Sequence, residues 1–204
     1  NTIVRGIRMH NEVKVNGFRH KPEGISDIVL DQITARFGGD ESMSAVWVNN
    51  LTVSWSIIAK PNPEHNTNYL VHHDVHRLSI HHNLFFDAKR RNPWVGTRPE
   101  DTVGTPISSI DVRNNVMWEV SGSSSNHGTV FFGDASGNII GNYYYTGDHC
   151  SDSDCEKRAV IVCQNPGFSE DLSFCRAQPV AGEVHVSGNV SADGWTNYIN
   201  TKGN

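Results

Sequence analysis

The chain has 204 residues, enough for one domain with a sizeable core, and sets 17 lysines and arginines against 22 aspartates and glutamates for a formal charge of −5. That balance argues against a nucleic-acid binder, which shows a basic face and a high pI. No apolar run approaches the length of a membrane span. Gly totals 18, and no apolar segment of helical period extends beyond a couple of turns, which suits a turn-rich β protein.

In chain order, short β-branched runs recur at Ile3-Val4, Ile28-Val29-Leu30, Leu51-Thr52-Val53, Leu78-Ser79-Ile80, Ile110-Asp111-Val112, Ile139-Ile140 and Val184-His185-Val186. Aligning Val4, Leu30, Val53, Ile80, Val112, Ile139 and Val186 gives successive spacings of 26, 23, 27, 32, 27 and 47 residues. Alternation within each run places apolar side chains on one face, the period of a strand. Spacings in the twenties with longer excursions predict an all-β, right-handed, single-stranded parallel β-helix of about seven coils, spanning 1–204 as one domain. An antiparallel sandwich is the competing fold, but only Asn16-Gly17 fits a two-residue hairpin. The opening Asn1 to Ile7 already reads as a mid-domain strand, so further N-terminal coils and a cap are expected before it. An uncapped coil predicts end-to-end self-association.

Asn83, Asn115, Asn142 and Asn189 each fall three residues after their aligned strand residue. In a solenoid these positions stack, so each amide can bond its neighbours one coil away while Asn also tolerates a left-handed turn. The span 145–179 is long, and is expected as one covering excursion. It holds Cys150, Cys155, Cys163 and Cys175, none in a CxxC. Four clustered cysteines in a loop-rich region predict two disulfides, with three pairings open, and an oxidising, secreted setting. Two sequons, at Asn50 and Asn189, fit that compartment as glycosylation sites.

Chemistry concentrates in His81-His82-Asn83-Leu84-Phe85-Phe86-Asp87-Ala88-Lys89-Arg90-Arg91-Asn92-Pro93. This segment resembles the HHNLF…RNP block of pectate lyases of polysaccharide lyase family 1. Two further blocks carry the resemblance, which covers roughly Asn1 to Tyr145. Asp27-Ile28-Val29-Leu30-Asp31 is similar to the family's N-V-x-x-D-H strand. Gly39-Asp40-Glu41-Ser42 with Asn50-Leu51-Thr52-Val53-Ser54-Trp55 is similar to its G-T-D-E … N-V-T-V-x-W.

The resemblance implies β-elimination on an acidic, pectate-like polysaccharide, with Arg91 as the catalytic base. It implies calcium as cofactor, with Asp40 and Glu41 as metal ligands, while Asp31 corresponds to a structural aspartate. Substrate carboxylates would be held by Lys60, Lys89, Arg90 and Arg98, with Trp94 available to stack on a sugar ring. The chain departs from the family pattern in three places. Lys21-Pro22-Glu23-Gly24 stands near where an acidic pair precedes the N-V-x-x-D strand. Ser44 stands roughly where a further aspartate belongs, and Trp94, Val95 and Gly96 replace the arginine that generally follows R-N-P. These losses keep a second reading open, a catalytically silent β-helix module for glycan binding or extracellular assembly. A glycosidase on the same fold needs paired carboxylates that the sequence does not show.

Histidines cluster at His65, His72, His73, His76, His81 and His82, with Asp74 among them. Their spacing defines no transition-metal site, so turn and stacking roles are expected. No G-x-S-x-G motif supports a serine triad.

Overall fold

The computed structural model describes residues 1–17, 25–96, 107–120, 127–132, 135–147, 158–163, 182–192 and 196–200. Each coil contributes one strand to each of three parallel sheets. The first sheet stacks β1 (Thr2–Arg5), β4 (Ser26–Asp31), β7 (Asn49–Ser54), β10 (His76–His81), β13 (Ser108–Arg113), β16 (Gly137–Ile140) and β19 (Val184–Ser187). The second stacks β2 (Arg8–Met9), β5 (Thr34–Arg36), β8 (Ile57–Ala59), β11 (Leu84–Phe86), β14 (Val116–Trp118), β17 (Tyr143–Tyr145) and β20 (Val190–Ser191). The third stacks β3 (Val13–Asn16), β6 (Glu41–Val46), β9 (Thr67–His72), β12 (Trp94–Val95), β15 (His127–Phe132), β18 (Arg158–Cys163) and β21 (Thr196–Asn200). This is a parallel β-helix, the fold class expected from the repeat.

The repeat also gives the register. Val4 pairs with Leu30, Leu30 with Val53, Val53 with Ile80, Ile80 with Val112, Val112 with Ile139, and Ile139 with Val186. From Leu30 to Ile139 these side chains point inward and are buried. Ala35, Ile58, Phe85, Met117 and Tyr144 close the core from the second sheet, and Met43, Tyr69, Val71, Val95 and Phe131 from the third. Each fully buried Val, Leu, Ile or Phe contributes about 1.5–3 kcal/mol relative to exposure. A one-residue slip would turn such a row out to solvent, so burial enforces the register.

Between the first and second sheets the chain turns at a stacked left-handed corner, occupied by Gly6, Gln32, Trp55, His82, Asn114, Gly141 and Gly188. Their N–H groups donate to the next coil, as from Gln32 to the Ser54 carbonyl at 3.0 Å and from Asn114 to that of Ile140 at 3.0 Å. The asparagine ladder lies one residue further on. Asn115 Nδ2 donates to Asn142 Oδ1 at 3.0 Å, while Asn115 Oδ1 accepts from Asn83 Nδ2 at 3.1 Å and from the Asn83 N–H at 2.9 Å. Asn142 repeats the pattern with Asn189. Ser56 extends the ladder by one rung, accepting from the Ile33 N–H at 3.1 Å. The ladder asparagines are not themselves the left-handed residues; the residue before each one takes that conformation, and each amide also donates to a first-sheet carbonyl of the preceding coil.

One expectation changes. The span 145–179 is not one excursion, because Arg158–Cys163 returns to the third sheet and pairs with β15. The pairing expected among Cys150, Cys155, Cys163 and Cys175 falls outside the described residues, Cys163 being described only as a strand residue. Several histidines take the expected stacking roles. His82 stacks on Trp55 with ring centroids 4.6 Å apart, and His73 on Trp47 at 5.3 Å and 8° between planes. Of the two sequons, Asn50 is exposed at a left-handed position, and its Nδ2 donates to Asp27 Oδ1 at 2.5 Å. That bond, followed by one from Ser26, holds the Asp27 carboxyl below the usual carboxylate range. Asn189 is a ladder rung whose Nδ2 donates to the Ile139 carbonyl at 2.8 Å. Among the described residues no helix is long and apolar enough to cross a membrane.

Candidate functional site

The third sheet carries the site on its outer face. Along β9 the inward Tyr69 and Val71 alternate with the outward Leu70 and His72. On the next coil Trp94 pairs with Leu70 and Val95 with Val71. One coil to the other side, Ser44 pairs with Leu70 and Val46 with His72. A cleft of about 340 Å³ opens over this surface, lined by Asp40, Glu41, His65, Leu70, His72, Arg91, Trp94 and Gly96.

Arg91 stands just before β12 in a left-handed conformation, φ 60°. Its backbone is pinned from several sides. The Arg91 carbonyl accepts from the Tyr69 N–H at 2.7 Å. The buried Asn92 donates its N–H to the Gly128 carbonyl at 3.0 Å, accepts from Asn68 Nδ2 at 2.8 Å, and offers its own carbonyl to Thr129 Oγ1 at 2.9 Å. Buried polar groups with satisfied partners fix a backbone in this way. The guanidinium then projects into the cleft, 5.9 Å from the Trp94 ring centroid, and its Nη1 donates to Glu41 Oε1.

Glu41 opens β6, and its side chain is 4% exposed against 18% for Arg91. The preceding residue is held by Thr67 Oγ1, which donates to the Asp40 carbonyl at 2.8 Å. The Asp40 carboxylate faces solvent, with Oδ1 3.5 Å from Nδ1 of His65. Each acid of the cleft therefore already has a cationic or histidine neighbour.

Arg91, Glu41, Asp40 and Trp94, all singled out from sequence, come together here. Of the remaining cations, Lys60, Lys89 and Arg90 do not line the cleft. Lys60 sits at a left-handed corner after β8, with Nζ 3.7 Å from Asp87 Oδ2 and 5.5 Å from the Phe86 ring centroid. Lys89 is exposed, and its N–H donates to Asn66 Oδ1 at 2.9 Å. Arg90 forms an isolated parallel bridge with Thr67 and presents its carbonyl to the Asn68 N–H. Arg98 lies outside the described residues. The basic run is thus split by the backbone turn that delivers only Arg91 to the cleft. Sequence reading missed His65, Leu70, His72 and Gly96 as lining residues. The alternation of Tyr69-Leu70-Val71-His72 carried the signal for two of them, since Leu70 and His72 share the outward face.

Calcium takes six to eight oxygen ligands. Among the described residues no group of three or more His, Cys, Asp or Glu side chains could hold a metal ion. Asp40 and Glu41 offer two carboxylates, one of them joined to Arg91. The described residues do not by themselves fit a calcium cage.

No family model matches the chain. Among curated proteins it is similar to probable pectate lyase C of Emericella nidulans, 32% identical over 127 residues covering 62% of this chain and 26% of the relative. It is similar to probable pectate lyase C of Aspergillus flavus, 31% identical over 132 residues, 63% of this chain and 29% of the relative. The protein of that name from Neosartorya fischeri is 33% identical over 129 residues, 61% of this chain and 27% of the relative. The chain spans between a quarter and a third of the length of these relatives.

Proposed function

From its parallel β-helix and its similarity to probable pectate lyases, we propose that the chain is pectate lyase-like and that its cleft is the reaction site of a secreted polysaccharide lyase. Its substrate would be a uronic-acid-containing polysaccharide, cleaved by β-elimination. The observation that carries this reading is the placement of Arg91 within the cleft beside Glu41, over a floor of Leu70 and Trp94.

Elimination requires removal of the proton on the sugar carbon next to the carboxylate, and stabilisation of the charge that develops there. Arg91 takes the role of base. In the free cleft Glu41 holds its guanidinium; an arriving uronate carboxylate competes with Glu41 for the same cation, and the exchange turns the side chain towards the sugar. Trp94 is buried in the free cleft under the Arg91 guanidinium, so its flat apolar face would meet a sugar only as Arg91 turns aside. A neutral guanidine is a strong base, but arginine's ordinary pKa exceeds about 12, so in water it already carries its proton. The step depends on the Arg91 guanidinium leaving its ion pair and giving up a proton to solvent inside the cleft.

A catalytically silent glycan-binding module is the second reading, favoured by one observation: the Glu41 carboxylate already neutralises Arg91. The deciding experiment incubates the chain with polygalacturonate and other uronans, with and without added calcium, and follows unsaturated, ultraviolet-absorbing products. The lyase reading expects product from the wild type and none from Arg91→Lys, which keeps the charge but loses the planar fork. A wild type silent on every uronan leaves the binding module as the better account. An Arg91→Lys variant as active as the wild type removes Arg91 from the chemistry.

A further inference from the structure

Elimination needs two proton movements, and Arg91 accounts for one. The second ends on the leaving oxygen, which departs as a sugar alkoxide and must be protonated. We propose that His72 is the acid that supplies this proton, an inference that rests on the lyase reading above.

Three placements carry it. His72 faces outward on β9 and lines the same cleft as Arg91 and Trp94. Its neighbour on the next coil is Gly96, which follows β12, donates its N–H to the Val71 carbonyl at 3.0 Å and has φ 146°, a conformation closed to other residues. With no side chain at that position, Gly96 itself puts no bulk between the His72 ring and the cleft that both residues line. The distance is also suitable. The Arg91 carbonyl is bonded to the N–H of Tyr69, three residues before His72. At ~3.3 Å per residue along a strand, that puts His72 about 10 Å along the sheet from Arg91 and one coil, ~4.8 Å, across it. Both side chains reach into the gap, which leaves space for a sugar ring between base and acid.

The ring is held in place by its neighbours. His72 contacts His73 with centroids 4.2 Å apart, and His73 stacks on Trp47. The His73 carbonyl accepts from the Trp47 N–H at 2.9 Å, locking the corner that carries the stack. The titratable or charged groups facing the cleft around His72 are Asp40, Glu41, His65 and Arg91, with His73 at its side. His65 is the rival donor. It sits in the turn before β9, mostly exposed and beside Asp40, away from the framing of the sheet. Histidine is also the side chain whose ordinary titration spans neutral pH, as a donor in mild conditions requires.

The step balances without any redox partner. Arg91, as the neutral guanidine, takes the C5 proton and becomes guanidinium, and the C5–H electron pair becomes the C4–C5 double bond. The C4–O4 bond breaks, and its pair leaves on O4. A ring N–H of the His72 imidazolium protonates O4, giving a new hydroxyl end, neutral imidazole and the unsaturated uronate. Solvent then reprotonates the imidazole and takes a proton back from the Arg91 guanidinium.

The test compares two leaving groups. On a natural uronan the departing alkoxide needs an acid; on a synthetic uronate bearing a phenolate of low pKa at C4 it does not. His72→Gln is expected to lose about 10²-fold or more in kcat on the polymer, the usual scale of general acid catalysis, and to stay within a few fold of wild type on the phenolate substrate. It should also lose the fall in polymer kcat that the wild type shows as pH rises above neutrality. The wild type itself, needing no variant to fold, should show a solvent deuterium isotope effect on the polymer that disappears on the phenolate substrate. Equal losses on both substrates, or none on the polymer, overturn the assignment, as does an isotope effect that ignores the leaving group. If the wild type yields unsaturated product from neither substrate, the lyase reading fails and this inference falls with it. If it does yield product while His72→Gln is indifferent to the leaving group, the inference alone fails.

Discussion

The guanidinium of Arg91 and the carboxylate of Glu41, 50 residues apart in the chain, are joined in one ion pair at the edge of the third sheet. The two partners are unequal. Arg91 keeps contact with solvent through 18% of its side-chain surface, whereas Glu41 retains 4%. Glu41 is therefore the partner that depends on the pair, because a carboxylate withdrawn from water needs its counter-charge.

That inequality predicts unequal stability losses. Arg91→Ala strands a buried carboxylate and should cost ~3–5 kcal/mol. Glu41→Gln leaves a guanidinium that can hydrate, while the amide still accepts a hydrogen bond, so the loss should be about 1 kcal/mol. Urea unfolding of both variants measures this directly. Equal losses would mean that the pair is not buried from the Glu41 side.

Much of the fold was legible because its rows are chemically uniform. Seven inward residues, from Val4 to Val186, are all β-branched or leucine, so aligning them recovered the register. The ladder was legible because Asn83, Asn115, Asn142 and Asn189 share one residue type at one offset. The corner beside it was not. Gly6, Gln32, Trp55, His82 and Asn114 share a backbone conformation and nothing in side-chain chemistry. A single sequence cannot reveal such a row. The strand Arg158–Cys163 was hidden because long, cysteine-bearing segments flank it. In the site, resemblance located Arg91, Glu41, Asp40 and Trp94. Lys60, Lys89 and Arg90, which it also named, stand outside the cleft lining, since charge alone does not say which way a turn sends consecutive side chains.

The asparagine ladder should be graded in its contribution. Asn115 accepts from both the N–H and Nδ2 of Asn83, and its own Nδ2 donates to the Ile80 carbonyl and to Asn142. Asn115→Ala leaves several of these buried groups without partners, at ~3–5 kcal/mol in total. Asn189→Ala removes a half-buried rung whose partners water can reach, and should cost about 1–2 kcal/mol. Asn115→Ser should fall between wild type and alanine, because Ser56 already serves as a rung for Ile33. Chemical denaturation of the three variants checks the order.

Two buried tyrosines should behave differently on losing their hydroxyls. Tyr144 shares a hydrogen bond with Thr129 Oγ1 at 2.8 Å, while the Tyr69 hydroxyl is buried with no partner among the described residues. Tyr144→Phe should cost about 1 kcal/mol, and Tyr69→Phe should be neutral or slightly stabilising. Burial raises the pKa of both phenols well above the ordinary value. A raised folded-state pKa means the neutral form is favoured in the fold, so this stability is complete below the unfolded value of ~10 and is lost as pH climbs beyond it. Alkaline unfolding of Tyr69→Phe should accordingly begin at higher pH than that of the wild type, as far-ultraviolet circular dichroism would show.

Calcium affinity follows from the donor set. Asp40 and Glu41 leave most of the six to eight oxygen positions to water, and Arg91 competes for Glu41. Calorimetry on the chain alone should find binding no tighter than about 10⁻⁴ M, the weak end of protein calcium sites. Adding an oligouronate should tighten it, because substrate carboxylates both supply oxygens and draw Arg91 away from Glu41. Asp40→Asn should remove that tightening. Micromolar binding unaffected by Asp40→Asn and Glu41→Gln would place the metal on residues other than these two.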